Sequence, residues 1–412
     1  EAGRLKFRLE GEKLRGEFSL VRMGHWKGQW LLIKSDDEHA EPGWELQLRW
    51  PEDERGAEWQ KEAQAKRRHD AEHKPVKRTP TPKNVETIPA RQAFARKNLS
   101  GNLNVKIGDA VVALTHLEKV YWPDAGYTKG DLVRYYYEIA RYLTPYLKDR
   151  PLIMKRYPDG IAGNSFHQHD VREVPDYVQT AEIDVEEGHK VDYIVDGGRA
   201  TMLYMANLGA IERHPWHSRV GQLDRPDWVV FDLDPENVDF TVVCDMALST
   251  RAILERLGLE SYVKTSGSRG LHVYVPIKAV HGYDEVARFA ELVAQLVVRE
   301  NAEVATVERS LKKRKRARIY VDHMQNARGK SVVAPYSVRP RPGASVSTPL
   351  VWNDVKRKKI RPQDFTIKNI MQRLMRTGDP FKPVLQGKQT LGDALLELES
   401  IFKRKNSKRA GA

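Results

Sequence analysis

Trp228-Val229-Val230-Phe231-Asp232-Leu233-Asp234-Pro235 is an apolar run that ends in two carboxylates. Side chains alternate along a strand, so Asp232 and Asp234 share a face. Two acids at a strand end can hold a divalent cation for phosphoryl chemistry. The same pattern also describes a plain strand running into an acidic turn, and by itself it does not decide. Asp-x-Asp also serves glycosyltransferases and dehalogenase-type phosphatases. The latter want Thr or Val shortly after the second acid, where this chain has Pro235-Glu236.

Two further stretches carry chemistry. Lys264-Thr265-Ser266-Gly267-Ser268-Arg269-Gly270-Leu271-His272 reads as a strand, a Gly/Ser loop and the start of another strand. Small residues let backbone N–H groups approach phosphate oxygens, and Ser266, Arg269 and His272 add donors. It is not a Walker loop, because no Gly-Lys-Ser/Thr stands at the required spacing. Arg318-Ile319-Tyr320-Val321-Asp322 is a second apolar strand ending in an acid, followed by His323, Met324, Gln325 and Asn326. A third carboxylate, Asp322, would let two metals share bridging acids. The basic run Lys312–Arg316 ahead of it suits a DNA backbone contact or a solvated loop. His214 and His217 lack a Cys or Glu partner at zinc spacing and read as packing or template contacts. Cys244 lies in an apolar helical pattern and reads as core.

These residues need a scaffold. Helical periodicity covers Lys129–Thr144, Thr201–Ile211, Thr241–Leu257, Asp284–Glu300 and Ile367–Arg376. Strand patterns cover Leu152–Tyr157, Asp227–Phe231, Tyr262–Thr265, His272–Pro276, Ala317–Asp322 and Ser331–Tyr336. Interleaved elements with consecutive strands able to pair antiparallel predict an α+β fold with a mixed sheet. Residues 1–50 predict three short strands, at Leu5–Leu9, Leu14–Arg22 and Gln29–Lys34. Residues 51–100 read as a basic, Pro-interrupted linker with a short helix near Ala57–Arg68; between Lys61 and Lys97 there are 11 Lys/Arg and 4 Asp/Glu. It could attach loosely to DNA or simply tether. The main domain is expected over 101–400, and the basic end, 401–412, is expected to be disordered. With 69 Lys+Arg against 56 Asp+Glu, the net charge of +13 points to an anionic partner, of which nucleic acid is the commonest large one. One cysteine excludes an internal disulfide framework and a Cys-based zinc site, which fits a cytoplasmic protein. No apolar run is long enough to span a bilayer. The chain opens on Glu1 rather than Met, as expected of a piece of something longer.

Asp232-Leu233-Asp234, Ser266-Gly-Ser-Arg269-Gly-Leu-His272 and Asp322 resemble the three motifs of archaeo-eukaryotic primases. Lys119-Val-Tyr-Trp-Pro-Asp124, Lys155-Arg-Tyr-Pro-Asp-Gly160, Asn207-Leu-Gly-Ala-Ile-Glu-Arg-His-Pro-Trp216 and Arg225-Pro-Asp-Trp-Val-Val-Phe-Asp232 look like the polymerase domain of bacterial DNA ligase D. The resemblance covers about Val105 to Leu398. It implies a primase-polymerase-like mixed/antiparallel sheet core with flanking helices. It implies that Asp232, Asp234 and Asp322 hold two ions, Mn²⁺ or Mg²⁺. It implies that Ser266, Arg269, His272, Gln325 and Arg339 line or grip the incoming NTP or dNTP. Lys119 and Lys129 match a lysine pair that recognises a 5′-phosphate at a DNA gap or end, and Phe166 an aromatic that stacks near the DNA end. Here Phe166 is followed by His167, where some relatives have a second aromatic. Lys155 is basic and near the site in that family. Lys155–Gly160 has the wrong Lys-to-Asp-Gly spacing for a ligase nucleotidyl-transfer motif, and no ligase domain is read. Gly3-Arg-Leu-Lys-Phe7 to Gly16, with Trp30–Lys34, resembles the end of the bacterial 3′-phosphoesterase domain, whose upstream metal-binding residues are missing here; 1–50 is expected to be an inactive remnant.

The expected activity is therefore DNA-dependent nucleotidyl transfer: gap filling and end extension in bacterial non-homologous end joining, with a ribonucleotide preference. A Ku-type end-binding protein and a DNA ligase module are the partners it implies, and the nucleoid the place. The rival is a non-catalytic DNA-end-binding scaffold, which the net charge and the lysine pair would also serve.

Overall fold

The computed structural model describes residues 4–10, 15–22, 30–35, 37–38, 75–82, 85–186, 189–195, 197–310, 314 and 318–410. The chain divides into two compact units, Glu1–His69 and Asp70–Ala412. In the first, Arg4–Glu10, Arg15–Arg22 and Trp30–Lys34 form an antiparallel sheet in sequence order, as the alternation predicts. The helix expected near Ala57–Arg68, and all of Lys312–Arg316 except Arg314, lie outside the described residues.

The second unit is α+β and is built on two sheets. One holds five strands: Leu152–Arg156, Phe166–Gln168, Thr180–Glu186, His189–Ile194 and Ala210–Pro215. The other holds six, with Trp228–Glu236 between Arg318–Asp322 and Leu271–Pro276; Tyr262–Thr265 and Pro349–Leu350 follow beyond Leu271–Pro276, and Ala305–Thr306 closes the opposite edge. Within the six-stranded sheet only the Ala305–Thr306 pairing is parallel.

Two apolar cores meet at Trp228–Glu236. Trp228 and Val230 face one, with Tyr274 and the helix Lys129–Leu147; Val229, Phe231 and Leu233 face the other, with the helices Phe240–Arg256 and Tyr283–Glu300. The period of two explains this division. It also puts Asp232 and Asp234 in line with Trp228 and Val230, on the face where the first core gives way to a cleft.

Several expectations are corrected. Thr201–Ile211 is not one helix: it ends at Asn207, and Gly209, at φ +75°, turns the chain into the strand Ala210–Pro215. Ser331–Tyr336 is not a strand; only Ser331 bridges, to Trp216. The linker does not reach 100. Lys77–Thr79 pairs with Glu173–Pro175, and Ala93, Phe94 and Leu99 are buried, because few but well-placed apolar residues suffice to anchor a basic segment. At the other end, where disorder was expected, the helix Gly392–Ala410 continues through the basic residues.

Candidate active site

The sheet register assembles the site. Asp232 stands opposite Asp322 on one side and His272 on the other, and His272 stands opposite Lys264. Lys264, His272, Asp232 and Asp322 thus form one row across four adjacent strands. His272 Nε2 lies 3.3 Å from Asp232 Oδ1, and Lys264 Nζ lies 2.9 Å from His272 Nδ1. Lys264 also donates to Ser347 Oγ at 2.7 Å. Lys264 is fully buried, and burial, then Arg339 nearby, holds its amine well below the usual lysine range. Burial, then Lys264 and Arg339, likewise keeps the His272 imidazole neutral. A neutral ring that accepts at Nδ1 presents Nε2–H to the Asp232 carboxylate.

Asp232 is pushed up to about 7, first by burial and then by Asp234 and Asp322. Burial also raises Asp234, against the pull of Arg269, whose Nη2 is 3.7 Å away. Asp322 is buried and accepts from Met324 N at 2.9 Å and from Gln325 Nε2 at 2.8 Å. Three acids on adjacent strands are the oxygen-rich donor set that hard divalent ions prefer. They are aligned rather than gathered: among the described residues, no three His, Cys, Asp or Glu side chains stand close enough to form a finished coordination shell.

The Ser266–Gly270 loop folds over the end of this row. Ser266 Oγ accepts from Ser268 N at 3.2 Å and Gly270 N at 3.1 Å, so the hydroxyl shapes its own loop and keeps its proton to donate. Gly267 has φ +69°, and a Cβ there would stand 2.7 Å from Arg339 Cγ. Asp232, Asp234, Ser266, Arg269, His272, Gln325 and Arg339 all line one cleft of about 350 Å³, joined by His214 and Arg341. Asp322 does not line it.

Lys119, Lys129 and Phe166 do not line this cleft. The two lysines flank the paired strands Val120–Trp122 and Tyr127–Thr128, and Lys129 N donates to Lys119 O at 2.8 Å. Thr128 caps the 19-residue helix that starts at Lys129, in a capping box with Asp131. Two ammonium groups beside a helix N-terminus suit an anion. Lys119 is ion-paired with Asp159, while burial and then Lys119 bring Lys129 down to about 8. Phe166 is 46% exposed, with the Arg156 guanidinium 5.1 Å from its ring.

Sequence reasoning missed Lys264, Glu212 and Asn326. Each is a polar residue inside or just after an apolar strand, and that was the available signal. Lys155, left without a partner, stands 3.9 Å from Glu212. His217 is buried against Trp228 and Cys244 is buried, as packing predicts.

A polar row on a mixed sheet, with a Gly/Ser loop at a cleft of about 350 Å³, fits a nucleotidyltransferase of the primase-polymerase class. Residues 128–381 match the family model described as LigD, primase-polymerase domain, and the chain belongs to that family. The match includes every proposed site residue except Lys119. The chain is 33% identical over 271 residues to the bifunctional non-homologous end joining protein LigD of Bacillus subtilis, covering 65% of this chain and 43% of that protein. It is 32% identical over 295 residues to the multifunctional LigD of Mycolicibacterium smegmatis, covering 70% and 38%. The chain thus spans about two fifths of the curated relatives it matches. Among solved structures, the polymerase domain of Mycobacterium tuberculosis ligase D in complex with DNA matches with a TM-score of 0.63 at 27% identity, covering 67% of this chain and 98% of that one. Among the described residues, no helix is long and apolar enough to cross a membrane.

Proposed function

We propose that this protein extends DNA ends and fills gaps in end joining, adding nucleotides opposite a template at 5′-phosphorylated breaks, with ribonucleotides preferred. The observation that carries the reading is the row Lys264–His272–Asp232–Asp322, of which His272 and Asp232 line a cleft rimmed by Ser266, Arg269 and Arg339. Asp232, Asp234 and Asp322 would hold two divalent ions, Mn²⁺ or Mg²⁺, which neutralise charge on the reacting phosphates when bound. Ser266, Arg269 and Arg339 would bind the triphosphate, Gln325 would line the site, and His272 would orient Asp232. Lys119 and Lys129 would hold the 5′-phosphate and Phe166 would stack on the DNA end. A Ku-type protein and a ligase module fit as partners on the relatives' role. The N-terminal sheet fits the end of a phosphoesterase domain.

A scaffold that only binds ends would need the lysine pair but would leave the buried row without a purpose. Purified protein with Mn²⁺, labelled NTP and a 5′-phosphorylated gapped duplex should give extension that Asp232→Ala abolishes. Tight end binding with no extension under any divalent ion would instead establish the scaffold.

A further inference from the structure

Glu212 lies in the strand Ala210–Pro215, between Ile211 and Arg213, which are fully buried; its own side chain is 2% exposed. A carboxylate so placed is costly unless cations compensate it. Three do. Arg339 Nε is 2.9 Å from Oε1, while Lys155 Nζ and His214 Nε2 are each 3.9 Å from Oε2. Burial alone would push the carboxyl up, but His214, Arg339 and Lys155 together outweigh it and bring it to about 2. The acid therefore stays ionised.

The contact with Arg339 has the distance of an ion pair without the alignment of a hydrogen bond. Among the described residues, no hydrogen bond to the guanidinium adds to this ion pair. The Arg339 backbone is fixed by its N–H, which donates to Ser345 O at 2.8 Å. Its stem lies over Gly267, where no side chain stands in the way. Arg339 lines the cleft and Glu212 does not.

We propose that Glu212 is a positioning residue of the nucleotide site: its buried carboxylate holds Arg339 against the Gly267 loop, with the guanidinium turned to the triphosphate. This rests on reading the cleft as the nucleotide site. Glu212 touches no substrate and acts through Arg339.

The test is binding of ATP with Mg²⁺ by titration calorimetry, beside binding of a 5′-phosphorylated duplex end. Glu212→Gln should weaken ATP binding about tenfold, the size expected of coupled neighbours, and leave the DNA end unaffected. Glu212→Asp keeps the charge and should retain more affinity than Glu212→Gln. Combining Glu212→Gln with Arg339→Ala should cost no more than Arg339→Ala alone. Wild-type affinity in Glu212→Gln, equal losses in the Gln and Asp variants, or additive losses in the double variant would each overturn the proposal. If Glu212→Gln does not fold, the cycle is run with Glu212→Asp and read the same way. A wild-type protein that binds no ATP would sink the nucleotide reading itself, a result distinct from all of these.

Discussion

The side chains that matter are held by neighbours of unusual charge state. Burial and Arg339 hold the Lys264 amine well below the usual lysine range, and its contact with Nδ1 at 2.9 Å fixes the orientation of the His272 ring. Lys129 is the residue whose charge should show in an assay. Burial and Lys119 depress it to about 8, so its ammonium is present below that pH and lost above it. Affinity for a 5′-phosphorylated end should fall as pH rises from about 7 to 10, with the midpoint moved upward by the bound phosphate. An end with a 5′-hydroxyl should change less, and Lys129→Arg should flatten the profile. Fluorescence anisotropy with both duplexes across this range checks it.

The strands and loops set how closely these groups meet. Gly270 packs on the central strand, where a Cβ would stand 2.2 Å from Leu233 O. Gly270→Ala must therefore lift the loop from the strand, at about 1–3 kcal/mol. We expect a lowered Tm and a raised KM for the nucleotide, read by thermal melts and steady-state kinetics. Asn326 solves a different local problem. The strand Arg318–Asp322 ends opposite Asp232, which leaves Val230 without a partner on that side. Asn326 supplies one, accepting from Val230 N at 2.8 Å and donating to Val230 O at 2.7 Å. Asn326→Ala should cost about 2–3 kcal/mol, because two buried backbone groups lose their partners. Denaturant melts would show the loss, and an unchanged midpoint would refute it.

The unit Asp70–Ala412 contains both large cores and the entire cleft. Residues 70–412 alone should fold and extend DNA at a rate close to that of the full chain. Comparing the two proteins in the gapped-duplex assay checks this, and a large loss would give the N-terminal sheet a role. DNA binding should weaken as salt rises, with a log–log slope of about −0.9 for each phosphate neutralised, so removing Lys119 should flatten it by about one unit.

Strand alternation and residue type were enough to mark Asp232 and Asp234 as one face, Ser266–Gly270 as a phosphate-suited loop and Asp322 as the end of another strand. The helices Phe240–Arg256 and Tyr283–Glu300 fell within a residue or so of their periodicity, because burial on one side imposes that period directly. What local pattern could not supply was register. Asp232 and Asp322 are ninety positions apart (322 − 232 = 90), and only strand pairing puts them opposite each other, with His272 and Lys264 completing the row. The roles of Lys264 and Glu212 were hidden for the same reason. A buried charge is chemically meaningful only through its partners, and those partners come from distant parts of the chain. The identities of the reacting groups are thus written locally, while their electrostatics belong to the packed sheet.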